Sequence, residues 1–97
     1  MAKLALYVRL IPKAGKETEI EAFLKQGAAM AKDEPGTKHW YGIKEDDGAY
    51  SVFDTFDDEA GREAHLTGEI AKALMAKADD LFAEPLHINK ITILADK

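Results

Sequence analysis

Leu4, Leu6, Val8 and Leu10 alternate with Ala5, Tyr7, Arg9 and Ile11, the period of a strand, until Pro12 removes a ladder donor. Past the polar "PKAGKE" the period changes. Ile20, Phe23, Leu24, Gly27 and Ala31 recur at helical steps, Thr18 and Glu21 stand at capping-box spacing, and "EPG" at 34–36 supplies a stop. Two segments rich in aromatic and β-branched residues, "KHWYGIK" at 38–44 and "AYSVFDTF" at 49–56, flank the polar "EDDG" and predict an antiparallel hairpin. A helix is expected from an N-cap at Asp57, carrying Ala60, Gly61, Ala64 and His65 until Gly68 offers a left-handed exit. A second helical stripe joins Ile70, Ala71, Leu74, Met75, Ala78, Leu81 and Phe82; "EP" at 84–85 breaks it, and "LHINKITILA" gives a last strand. The order β-α-β-β-α-β is the split βαβ of a ferredoxin-like α+β fold with a four-stranded antiparallel sheet, in one domain over 1–97.

Such a sheet measures roughly 23 Å by 19 Å, from about 3.3 Å per residue and 4.8 Å between strands. Two helices of about 10 Å diameter cover one of its faces. A second face turned to water would carry polar residues at every other position, yet here it offers Ala5, Tyr7 and Ile11 around Arg9 in the first strand. Roughly 400 Å² of partly apolar sheet would stand exposed, which with its rim approaches half of a standard interface. A homodimer packed through the sheet faces is expected.

Composition narrows the function. Hydrophobic residues at 46% and charged ones at 32%, mixed along 97 residues, describe a single folded domain. A net charge of -5, with Arg9 and Arg62 the only arginines, argues against nucleic acid. No apolar run approaches the roughly 20 residues of a membrane span, and the opening "MAKLALYVRLIP" is too short for a secretory signal, so a cytoplasmic protein is expected. Without cysteine there is no disulfide or thiolate metal site, and Ser51, the only serine, sits in a strand pattern rather than a nucleophile turn. No glycine-rich phosphate cradle occurs.

The segment "VFDTFDDEAGREAHL", together with "GKETEIEAFL", "EPGTKHWYGI" and "INKITILADK", resembles the antibiotic biosynthesis monooxygenase family of small dimeric α+β barrel proteins. The resemblance covers nearly the whole chain. It implies oxidation of an aromatic phenol or quinol by molecular oxygen, without metal, flavin or haem, in a pocket between sheet and helices. In the family pattern a strand acid and then an aromatic fall on Asp54 and Phe56, and a helix histidine on His65; a second histidine five residues later corresponds to Ile70.

Such chemistry needs a base to form an electron-rich anion, a dry cavity and donors for the oxyanion. His65 is the expected base, since imidazole titrates nearest neutral pH, and Asp54 its orienter; the plain alternative is a helix histidine bonded to a carbonyl. Trp40 either stacks on a planar substrate or packs a dimer interface. Tyr7 and Arg9 share a strand face and could clamp a substrate oxygen, unless Arg9 forms an inter-subunit salt bridge. Asn89 either lines the pocket or caps a strand edge. Phe53, Met75 and Phe82 complete the candidate wall, although a stripe at this spacing is ordinarily core. His39 and His87 make no paired metal spacing. The other functional class is a non-catalytic barrel that binds a small ligand or only dimerises.

Overall fold

The computed structural model describes residues 3–97. Its elements run β1 Leu4–Leu10, α1 Glu17–Ala31, β2 Thr37–Lys44, β3 Tyr50–Phe56, α2 Glu59–Leu66, α3 Glu69–Leu81 and β4 Ile88–Thr92. The strands form one sheet in the order β2-β3-β1-β4, every neighbouring pair antiparallel. This is the expected ferredoxin-like arrangement, with the second helical region divided in two.

Register explains how the sheet presents two different faces. Leu4, Leu6, Val8 and Leu10 lie opposite Phe56, Asp54, Val52 and Tyr50, and successive side chains of a strand alternate between faces. Val8, Leu10, Tyr50 and Val52 join Ile20, Phe23 and Leu24 of α1 and Leu74 and Leu81 of α3 in the core, so this is the face the helices cover. Tyr7, Phe53, Arg9, Ser51, Tyr41 and Ile43 occupy the intervening register positions and share the other face. No helix among the described residues is long and apolar enough to cross a membrane.

Helix ends depart from expectation for local reasons. The Thr18–Glu21 box does not form: α1 starts from Lys16 without a side-chain cap, and Glu21 instead accepts the Tyr50 hydroxyl at 2.5 Å. The cap of α2 is Asp58, one residue late, accepting from the Gly61 amide at 2.8 Å, while Asp57 pairs with Lys38 at 3.2 Å. Gly68 makes no left-handed exit. Its φ of -87° and ψ of -174° are extended, and it serves as N-cap of α3, because the chain passes directly from one helix into the next. Met75 leaves the apolar stripe at 61% exposure, and Phe82 lies beyond α3, buried where it bridges Pro12.

Glycine matters most where α2 crosses the α1–β2 connection. A Cβ on Gly36 would stand 2.8 Å from the Gly61 Cα, and one on Gly61 would stand 2.9 Å from the Gly36 oxygen, so backbone meets backbone without room for a methyl group. Gly36→Ala is expected to destabilise the fold by about 1–3 kcal/mol, the usual cost of overpacking. Urea unfolding checks this through a lower midpoint at unchanged slope.

Candidate active site

The strand pairing, the α1–β2 connection and α2 bring three charged side chains together. On β3, Asp54 stands opposite Leu6 and Trp40 in the flanking strands and is turned to the helices. On α2, Arg62 and His65 are the buried residues, one turn apart. Arg62 anchors the helix to the sheet through the carbonyls of Ala5 (3.3 Å) and Ile91 (3.4 Å), and it is paired with Glu59 at 2.7 Å. His65 then reaches Asp54, with Nε2 2.8 Å from Oδ2.

The other ring nitrogen is engaged as well. Nδ1 lies 2.6 Å from Oε1 of Glu34, in the connection between α1 and β2, and the same oxygen accepts the Thr37 hydroxyl at 2.9 Å. The Phe56 ring lies tilted against the imidazole at 5.4 Å between centroids. With a carboxylate on each side, both ring nitrogens donate only when the ring is an imidazolium. Burial by itself pushes His65 toward the neutral form, but the hydrogen bonds and charges of Asp54 and Glu34 outweigh it and raise its pKa above the ordinary histidine value.

His65 also separates two cavities. The inner one, about 40 Å³, lies between sheet and helices and is walled by Leu6, Val8, Phe23, Val52, Ile70 and Leu74, with Trp40, Asp54 and His65 as its polar members. The outer one, about 400 Å³, is lined by Met30, Glu34, Pro35, Gly36, Gly61, Gly68 and Ile70, again with His65. Asp54 Oδ1 and Trp40 Nε1 are buried and have no hydrogen-bond partner. A buried acceptor and a buried donor therefore remain uncommitted on cross-strand neighbours beside the inner cavity. The Trp40 ring itself lies against α1, where Gly27 makes space: an added Cβ would stand 3.0 Å from the indole.

Of the candidates read from sequence, His65, Asp54 and Trp40 meet at one place. Tyr7, Arg9, Phe53 and Asn89 are on the opposite face, one step out of parity with Asp54. There the Tyr7 hydroxyl donates to Glu45 at 3.1 Å, and Arg9 pairs with Asp47 and, at 3.5 Å, with Glu45 of its own chain. Asn89 donates to the Tyr7 carbonyl at 3.3 Å. Met75 points outward, and Phe82 packs at the end of α3, so neither lines the inner cavity. Glu34 was not among the candidates: it enters the sequence only as part of a helix stop, with no periodic relation to His65. Among the described residues, no group of three or more His, Cys, Asp or Glu is placed to hold a metal ion.

The chain is 47% identical to a Nitrosomonas europaea protein of unknown function, over 100% of this chain and 94% of that one, with a TM-score of 0.94. A candidate antibiotic biosynthesis monooxygenase from Caulobacter crescentus has the same fold at 20% identity, covering 97% of this chain and 92% of its own, TM-score 0.83. Another from Bacteroides thetaiotaomicron matches at 21% identity over 97% and 91%, TM-score 0.78. No protein-family model and no curated protein matches the chain.

The charge on His65 sets a pH dependence with a definite sign. Because the folded ring binds its proton more tightly than the unfolded one, its contribution is complete below about pH 6.5 and is lost as pH rises through the elevated folded value. Urea unfolding between pH 5.5 and 9 is expected to show that decline. His65→Ala should remove it and, by stranding buried Asp54, cost about 3–5 kcal/mol at pH 6.

Proposed function

We propose, for a chain that belongs to one family with the Nitrosomonas europaea protein, a cofactor-independent monooxygenase that acts on a small aromatic or quinol substrate with molecular oxygen. The observation that supports it is the uncommitted Oδ1 of buried Asp54, a residue that lines an apolar cavity together with the His65 imidazole and Trp40, whose indole N–H also lacks a partner. The two flanking carboxylates favour the imidazolium, and on this reading the roles expected from sequence are exchanged. Asp54 takes the hydroxyl proton, His65 as imidazolium stabilises the anion that forms, and Trp40 Nε1 donates to its oxygen. The apolar wall keeps water from competing.

Size favours keeping a second reading. Benzene occupies a cavity of about 150 Å³, whereas the inner cavity measures about 40 Å³. An aromatic substrate therefore needs α3, which carries Ile70 and Leu74, to move away from the sheet. A barrel that binds a smaller molecule, or only dimerises, needs no such movement.

Oxygen uptake over a panel of hydroquinones and polyphenols, with the fluorescence of the single Trp40 as a binding signal, separates the readings. The enzyme reading expects turnover that Asp54→Asn lowers by about 10²–10⁴-fold, the range of a lost general base, while quenching persists. Quenching without oxygen uptake on any compound assigns the chain to the binding class.

The uncovered sheet face supports a homodimer. Tyr7, Phe53, Tyr41 and Ile43 lie there together, with Tyr41 52% exposed, more apolar surface than a water-facing sheet ordinarily carries. Light scattering is expected to give twice the 10.7 kDa chain mass. A species at the chain mass would remove the dimer.

A further inference from the structure

We propose that Glu34 is a working member of this site, a positioning residue that fixes the charge and ring orientation of His65 and links its proton to solvent. The proposal rests on the reading above for its chemistry, but it stands on geometry of its own.

Side-chain exposure rises in steps along the three groups: 2% at Asp54, 8% at His65 and 21% at Glu34. Asp54 lines the inner cavity and Glu34 the outer one, and His65 lines both. The hydrogen-bonded path from Asp54 therefore runs through the imidazole, in at Nε2 and out at Nδ1 toward Glu34. Glu34 is itself held in place, by the Thr37 hydroxyl and by the Gly36–Gly61 contact that fixes its loop against α2.

The charges in contact with His65 are acidic on each side, Asp54 from β3 and Glu34 from the α1–β2 connection, and Asp33 and Glu69 line the outer cavity with it. Arg62, on the same helix, is committed to Glu59 and to the strand carbonyls.

The proton movements balance. Asp54 Oδ1 accepts the hydroxyl proton while the imidazolium holds the anion, and once the anion has reacted the ring releases its Nδ1 proton to Glu34. Glu34 then passes that proton to water, which returns Asp54 and His65 to their resting total, one labile proton held between carboxylate and ring. No electrons are transferred in this relay.

Ring-resonance NMR of the full chain, titrated with and without Glu34→Gln, tests this with no substrate present. The near-isosteric amide is expected to lower the His65 midpoint by about one pH unit or more, the effect of removing one adjacent opposite charge. Glu34→Asp should recover part of it, and it carries the test if Glu34→Gln does not fold. An unchanged midpoint overturns the proposal. Failure to find oxygenase turnover overturns the functional reading and leaves this measurement intact. Where turnover is found, Glu34→Gln should move the alkaline limit of kcat down by the same interval at unchanged KM, and a profile that stays in place overturns the proton link.

Discussion

The contact that ties α2, the sheet and the α1–β2 connection together is one imidazole held between two carboxylates. His65 joins α2 to the central strand β3 through Asp54 and to the α1–β2 connection through Glu34, so a single ring fixes the relative position of three parts of the chain. A buried charged cluster is an inefficient way to stabilise a fold, since well-packed apolar groups of similar volume often do as well or better. The cluster's consequence is electrostatic: an acid kept at 1% exposure, one oxygen engaged and the other free, next to an imidazole whose protonated form it favours.

Strand parity decides which side chains can take part. Because side chains alternate, Leu6, Val8, Val52, Asp54 and Trp40 are committed to the helix side, and Tyr7, Arg9, Phe53 and Asn89 to the other. The aromatic and charged residues of the second face make their own set of contacts, tying β1 to the turn at Glu45 and Asp47. The two faces thus differ in kind, a buried polar cluster under the helices and a partly apolar surface outside them.

Much of this was legible in the sequence. The change from period two to helical spacing gave the element order, and the β1 alternation gave the buried face, because apolar burial is periodic and periodicity is local. The closeness of Asp54 and His65 was also accessible, as a short strand-to-helix connection returns the helix over the strand that precedes it. Glu34 was not, since a contact across 31 residues between a loop and a helix leaves no trace in spacing. Nor was the second carboxylate's effect on His65: spacing left imidazole at its ordinary titration near neutrality, whereas a carboxylate at each nitrogen raises its pKa above that value. The cap of α2 moved by one residue for a smaller reason, Asp57 and Asp58 both being competent and only Asp58 reaching the Gly61 amide.

Ile70 completes the physical picture. It stands where the resembling family carries a second histidine, and here it is 5% exposed and walls both cavities on either side of His65. A second imidazole at that place would offer another hydrogen-bonding group and a second path for a proton. An isoleucine offers neither and adds apolar wall to both cavities. The only side-chain hydrogen-bonding partner of Asp54 among the described residues is thus the His65 ring, and the carboxylate on the far side of that ring extends the same cluster toward the outer cavity.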